Sequence, residues 1–477
     1  MNSVTEKVLG IFTEISNVPR CSKNEEKIGK WLQNWAAERD LEYKTDKVGN
    51  VLIKVPGKNG LEKSQPIALQ GHMDMVCEKT PDSTHDFSKD PIKLMEIDGW
   101  LTADKTTLGA DNGIALAISL ALADSKDIKH PPLELLFTVD EETGLTGANF
   151  IEPGFIDSKI LLNIDSEDEG VLTIGCAGGR DTKIELPLNY IDANSFVSNF
   201  KISLTGLKGG HSGVDIIKNR ANAIKIMARL LNRINNKFGL NIIDFNGGSA
   251  HNAIPRYCVC DVAIEENDLV ELENELAEFQ KIVSNEFKNE DKINFKIEKI
   301  DFVEKIIDSV SSEKMIDLLI ALPNGIFSMS EEIENLVETS NNEATANIID
   351  GKLHILSSQR SSVVSKLDNL TNKIEAVCRL ANADYESGNG YPAWEPNWDS
   401  KLLAKCKQTY FDLFKKEPVV EVIHAGLECG IIGSKFENMD MISIGPTIEN
   451  PHSPDERMKI SDIEKIWNFL IGLFQTL

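Results

Sequence analysis

Residues 68–78 read Ala-Leu-Gln-Gly-His-Met-Asp-Met-Val-Cys-Glu. The apolar approach Ile67-Ala68-Leu69 predicts a short buried strand that ends at Gly71, with His72 and Asp74 directly after it. Alternate side chains of an extended chain share a face. The two therefore look into one cleft at the C-terminal end of a strand, where open α/β sheets place their ligands. A neutral imidazole is the commonest protein ligand for a divalent metal. A carboxylate two residues on is either a second ligand or a group that orients the first.

Further acids follow the same plan. Thr107-Leu108-Gly109-Ala110-Asp111-Asn112-Gly113 is a turn that leads into the apolar run Ile114 to Ala123. Val139-Asp140-Glu141-Glu142-Thr143-Gly144 follows the apolar stretch Leu133 to Val139, and Leu161-Leu162-Asn163-Ile164 delivers Asp165. Far along the chain, the loop from Pro446 to Asp455 holds His452. Two histidines with Asp and Glu carboxylates make the mixed nitrogen and oxygen set that suits two divalent ions.

These words, in this order, resemble the M20-type co-catalytic metallopeptidases, in their aminoacyl-histidine dipeptidase branch. The likeness is carried by Gly71-His72-Met73-Asp74-Met75-Val76, Leu108-Gly109-Ala110-Asp111-Asn112-Gly113, Asp140-Glu141-Glu142-Thr143-Gly144 and Asn163-Ile164-Asp165-Ser166-Glu167. It continues through Gly210-His211-Ser212-Gly213, His424-Ala425-Gly426-Leu427-Glu428, Gly445-Pro446 and His452-Ser453-Pro454, and so spans nearly the whole chain.

Composition sets outer bounds. A chain of 477 residues exceeds a single core, so two domains are expected. Its 41% hydrophobic and 26% charged residues are those of a soluble globular protein. A net charge of −25 argues against nucleic acid and anionic membrane surfaces as partners. The scattered cysteines include no Cys-x-x-Cys pair, which predicts a reduced, cytoplasmic protein and not a disulfide scaffold. The N-terminus lacks a basic region followed by an apolar core, so no signal peptide is expected, and the run Ile114 to Ala123 is too short to span a bilayer.

Periodicity predicts two amphipathic helices within residues 3–40, then strand–helix alternation through residue 175. Near residue 183 the texture changes. Strand Phe200 to Leu204, a long helix Ile216 to Asn235, strands Asn241 to Gly247 and Arg256 to Ile264, helix Leu269 to Phe287 and strand Ile293 to Ile300 are followed by a similar series. That series is helix Ser312 to Leu322, strands Leu336 to Ile349 and Lys352 to Gln359, helix Val364 to Ala381 and strand Ala383 to Glu386. The recurrence suggests a duplicated α+β unit. From about 399 the α/β texture returns. The expected architecture is α/β: a discontinuous catalytic domain, 1–182 plus 395–477, with an inserted lid of 183–394. The resemblance implies a zinc-peptidase-like sheet and a lid of two ferredoxin-like units.

The resemblance also implies roles. Asp111 would bridge two divalent ions, with His72 and Asp165 completing one and Glu142 and His452 the other. Zinc is the expected metal, with manganese and cobalt as alternatives. A cis peptide is expected after Asp111. Glu141 would be the general base for metal-hydroxide attack, and Asp74 would fix the tautomer of His72. In the lid, His211 would stabilise the oxyanion. Asn252, Arg360 and Gly426 would hold the substrate's backbone and C-terminal carboxylate. His130, His251 and His354 are read as structural, and His424 is left open. The function implied is a cytoplasmic dipeptidase acting on unblocked dipeptides, Xaa-His and carnosine-like ones included, as monomer or homodimer. An M20-type aminoacylase or carboxypeptidase-like amidohydrolase is the alternative, and a metal- or peptide-binding homologue without activity is a third.

Overall fold

Parallel strands bring the acid-bearing turns to one edge. In the computed structural model, which describes residues 3–193, 197–265, 268–290, 292–388 and 390–477, an eight-stranded sheet runs in the order Glu42–Thr45, Val51–Val55, Leu133–Thr138, Ile67–His72, Ile160–Asn163, Asp440–Ser443, Val171–Cys176, Val419–Ile423. Ile67–His72 pairs in parallel with Leu133–Thr138 on one side and Ile160–Asn163 on the other, and Asp440–Ser443 continues the parallel set. The central strands are buried on both faces, which explains why Leu-Glu-Leu-Leu-Phe-Thr reads as an almost unbroken apolar run. Because these strands point the same way, the segments that follow His72, Thr138 and Asn163 leave at the same end of the sheet.

The helix Ala110–Ala123 is apolar all round because it is buried all round. It packs against Ile67–His72 and the N-terminal helix Ser3–Ser16, whose stripe Val8, Phe12 and Ile15 is fully buried. The second N-terminal helix is Glu26–Ala37, and Leu94–Ile97 and Trp100–Ala103 form a hairpin around Asp98-Gly99.

The chain divides into two compact units. One comprises residues 1–176, 394–422 and 427–477; the other comprises 177–393 and 423–426. The strand Gly178–Pro187, which spans the expected boundary at 182/183, lies wholly in the second unit. It pairs along its length with Lys352–Ser361 and, on its other edge, with Asp384–Ser387.

The second unit is built on a sheet in the order Asn294–Lys299, Val197–Thr205, Cys258–Glu265, Asn241–Gly247, Val337–Ile349, Lys352–Ser361, Gly178–Pro187, Asp384–Ser387, with Gly325–Met329 paired to Val337–Ile349. Its two halves are βαββαβ units, each with the ferredoxin-like order, joined edge to edge between Asn241–Gly247 and Val337–Ile349. The first half is inserted between the first strand and the first helix of the second. Helices Ala223–Phe238, Leu269–Glu286, Ser309–Ala321 and Val364–Ala381 share one core with the sheet, including Ile202, Val262, Leu230, Phe279, Ile316 and Leu353.

Two expectations change. The long helix expected from Ile216 starts later: Ile216–Lys218 is a single 3-10 turn, and the α-helix begins after Asn222, whose side chain accepts from the N–H groups of Ile224 and Lys225. The fully reduced chain also gives way in one place. Cys21 and Cys77 form a disulfide with a Cα–Cα distance of 5.7 Å. A bridge between Cys21 and Met75 lays the two segments side by side, which a separation of 56 residues conceals. The other six cysteines lie outside this disulfide and are buried.

Candidate active site

Asp111 sits at the head of the helix Ala110–Ala123, and its two oxygens face different histidines. Oδ1 is 3.0 Å from His72 Nε2, and Oδ2 is 3.0 Å from His452 Nε2. His72 Nε2 also lies 3.4 Å from Asp165 Oδ1, and His452 Nε2 lies 3.0 Å from Glu142 Oε2. The five residues expected as ligands thus fall into two trios that share Asp111, and His72, Asp111 and Glu142 meet the spacing of a metal-holding group. The Asp111–Asn112 peptide is cis. His452 and Asp140 have φ near +59° and +49°, a region sparsely used by non-glycine residues and common at functional sites.

The surroundings aim these groups. His72 Nδ1 lies 3.3 Å from Asp74 Oδ1, which leaves Nε2 turned to the acids. Asp74 also accepts the N–H of Glu141 at 3.0 Å and of Glu142 at 3.3 Å, so one buried carboxylate orients both the histidine and the Glu141-Glu142 turn. Asn112 accepts the N–H of His72 and donates to Ile164 O, tying the segments that carry His72, Asp111 and Asp165. Gly71 makes that possible: a Cβ there would stand 2.3 Å from Asn112 Oδ1.

The charges are strongly perturbed. Burial works against a cation at both histidines, yet the acids outweigh it. His72 is held well above the usual imidazole range, and His452 is raised to about 11 by Asp111 and Glu142. Burial pushes Glu141 well up, Glu142 to about 7 and Asp165 up, with neighbouring carboxylates adding to it. Asp111, though buried, is held far below the usual carboxylate range by the two histidines. Glu142 Oε1 and Asp165 Oδ1 are buried without a hydrogen-bond donor. Acids crowded together with lone pairs unused, and imidazoles turned to them, fit divalent cations.

Several residues that matter here were not singled out by sequence reasoning. Arg20 lies between the helices Ser3–Ser16 and Glu26–Ala37, and Glu456 is one acid in a polar loop. Gln70 Nε2 and Thr138 Oγ1 both donate to Glu428, a buried carboxyl that braces the C-terminal halves of two central strands. The acid in the His-Ala-Gly-Leu-Glu word was the only signal for that contact.

The remaining expected residues lie in the second unit. His211 Nδ1 accepts the N–H groups of Gly213 and Val214, so its hydrogen sits on Nε2. Arg360 is 6% exposed, donates from Nη1 to the Tyr391 hydroxyl at 2.7 Å and keeps a buried Nε without a partner. A Cβ at Gly426 would stand 2.7 Å from the Tyr391 ring, so that position requires glycine. His424, left open above, is buried. Ser340 bonds its Nε2 at 2.7 Å, its Nδ1 has no partner, and burial lowers its pKa to about 3, with Arg360 and His211 acting in the same direction. Asn252 is exposed, and its carbonyl accepts from Ser212 N.

Residues 202–291 match the family profile described as a peptidase dimerisation domain. The cytosol non-specific dipeptidase of Escherichia coli K12 is 38% identical over 476 residues, covering 98% of this chain and 96% of the relative. The crystal structure of aminoacylhistidine dipeptidase from Vibrio alginolyticus superposes with a TM-score of 0.87 at 37% identity, covering 100% of this chain and 98% of that one. An aminopeptidase of Bacillus cereus shares the fold at 18% identity and a TM-score of 0.57, over 99% of this chain and 98% of that one. With its ligand words in order and a relative matched from end to end, the chain belongs to the M20 peptidases, in the family of the cytosol non-specific dipeptidases.

Proposed function

We propose that this protein hydrolyses unblocked dipeptides, Xaa-His and carnosine-like ones included, at a centre of two divalent ions held by His72, Asp111, Glu142, Asp165 and His452. The observation that carries the reading is the division of the Asp111 oxygens, one toward His72 and one toward His452. That is the geometry a shared carboxylate needs when two ions sit about 3.5–4 Å apart. Bound there, divalent ions supply Lewis acidity toward a carbonyl and toward water. Zinc is the proposed occupant, because two histidines with carboxylates suit it.

The chain's own residues do the rest. Glu141 takes a proton from the attacking water and returns it to the leaving amine; its crowded, partly buried carboxyl is suited to holding that proton between steps. Asp74 keeps His72 and the Glu141-Glu142 turn in place. Arg360 binds the C-terminal carboxylate of the substrate with its guanidinium fork, aided by Asn252 and the backbone at Gly426. His211 donates from Nε2 to the oxyanion, since the backbone N–H groups at Nδ1 fix that tautomer. The name of the Escherichia coli relative supports a cytoplasmic location, and the matched dimerisation domain supports a homodimer.

The test is hydrolysis of Ala-His, β-Ala-His, Gly-Gly-His and an N-acetyl amino acid, after chelation and after zinc, manganese or cobalt is returned. Cleavage of the free dipeptides alone, lost on chelation and restored by metal, is the expected result. Cleavage of the acetylated compound in their place would move the function to the aminoacylase alternative.

A further inference from the structure

Arg20 and Glu456 are 2% exposed, and both grip the turn that carries Asp111. Glu456 accepts four successive backbone N–H groups. Oε2 takes Leu108 at 2.8 Å and Gly109 at 3.0 Å; Oε1 takes Ala110 at 2.8 Å and Asp111 at 3.3 Å. Arg20 holds the opposite polarity: Nη2 donates to Gly109 O, and Nη1 donates to Met73 O at 3.1 Å and Asp74 O at 3.0 Å. A Cβ at Gly109 or Gly113 would stand 2.5 or 2.6 Å from Arg20 Nη2, so the guanidinium occupies the space two glycines leave.

This exceeds what starting a helix requires. An ordinary N-cap uses one side-chain oxygen from the residue just before the helix and satisfies one or two N–H groups. Here the acid comes from a loop 345 residues away, four positions after His452. Glu456 therefore joins the His452 loop to the Asp111 turn. Arg20 joins that turn to the backbone directly after His72. Between them the two side chains link the three segments that carry His72, Asp111 and His452. The cationic guanidinium also stands behind a group of acids, and its charge persists at neutral pH because burial lowers its pKa only to about 10, with Glu456, Asp74, Asp111 and Glu142 supporting it.

We propose that Arg20 and Glu456 are positioning residues of the metal centre: they lock the Gly109–Asp111 turn so that the Asp111 oxygens face His72 and His452 together. This rests on the reading of Asp111 as the shared ligand. Neither side chain touches the substrate or the ions; each acts through the backbone.

The experiment uses the full chain with Glu456→Gln, Arg20→Met, Arg20→Lys and Asp111→Asn. Three quantities are measured on each: the circular dichroism and melting of the chelated protein, zinc affinity by competition with a chromophoric chelator, and kcat and KM on Ala-His. A glutamine at 456 must turn its NH2 toward N–H groups that need an acceptor. A lysine at 20 keeps three donors for three carbonyls. The expected result is a folded Glu456→Gln and Arg20→Met, zinc affinity lowered about 10–100-fold and kcat lowered with KM little changed. Arg20→Lys should recover most of both losses. Wild-type zinc affinity in folded Glu456→Gln and Arg20→Met overturns the proposal. So does loss of fold in the chelated forms of both, because the pair would then belong to the fold and not to the centre. If Asp111→Asn binds zinc like the wild type, the metal-centre reading itself fails. If Asp111→Asn loses zinc while Glu456→Gln keeps it, only the positioning role fails.

Discussion

In the first unit, Asp111, Glu142 and Asp165 crowd around two imidazoles with two carboxylate oxygens unused, whereas in the second unit Arg360 and His424 each keep a buried nitrogen without a partner. The first arrangement has too many acceptors for the protein alone and the second has buried nitrogens to spare. Buried polar groups are costly unless paired, so neither cluster is explained by folding. Nearby networks show what completed pairing looks like. Asn163 donates to Gln70 and accepts from Ser443 in the first unit, and Thr339 bonds Ser361 in the second. The contrast teaches that the acid cluster of the first unit leaves acceptors unpaired, whereas Arg360 in the second leaves a donor. In the first that fits cations, and in the second it suits an anionic group.

That contrast can be broken in stages. The largest effect belongs to Glu141→Gln. It should lower kcat by roughly 10²–10⁴-fold while zinc content, measured by atomic absorption, stays that of the wild type. Surviving turnover would remove Glu141 as the base. Arg360→Met comes next. Losing a buried charged partner for a carboxylate costs about 2 kcal/mol or more, which is roughly 30-fold or more in kcat/KM. The loss should appear in KM for dipeptides and leave zinc affinity unchanged. A fall in zinc affinity would mean that the two clusters are not separate in role.

The smallest effect concerns a buried acid of the second unit. Glu343 in the second unit is fully buried, its oxygens accept no hydrogen bond, and Lys225 Nζ stands 3.4 Å away but donates to three backbone carbonyls. Burial raises Glu343 to about 7 against the opposing pull of Lys225. Below the unfolded value of about 4.5 both states hold the proton, and the native state suffers no penalty. As pH rises from there through 7, the unfolded chain ionises first and stability is lost. Glu343→Gln should therefore melt higher than the wild type at pH 8, by on the order of 2–4 °C, and match it near pH 4. Equal melting at both pH values would mean that Glu343 is ionised and paired in the native protein.

How far the sequence could be read depends on where each residue stands. His72, Asp165 and the Glu141-Glu142 pair each follow an apolar run that is buried on both faces, so hydrophobic pattern and ligand chemistry pointed to the same place. The duplicated α+β unit was visible as a recurring order of elements, and its ferredoxin-like form came from the family resemblance. Arg20 and Glu456 had no such context. Their contacts are with backbone atoms of a distant turn, and backbone contacts leave no mark on residue type. Glycines 109 and 113 were the faint trace, since a side chain at either would collide with Arg20. The Cys21–Cys77 pairing was hidden for a similar reason, because the bridge that aligns the segments is made by main chain.

The nesting of one repeat inside the other has a consequence for how this polypeptide is made. Residues 197–299 carry every strand of the first repeat and can close as a local structure soon after they leave the ribosome. The strand Gly178–Pro187 emerges earlier but must wait for Lys352–Ser361 and Asp384–Ser387. In the other sheet, Ile160–Asn163 and Val171–Cys176 wait still longer, for Asp440–Ser443 to fill the gap between them. Long-range pairings of this kind are slow, and strands with open edges are prone to aggregate while they wait. A chain cut short at residue 430 would lack the strand that joins those two edges and leave both of them open.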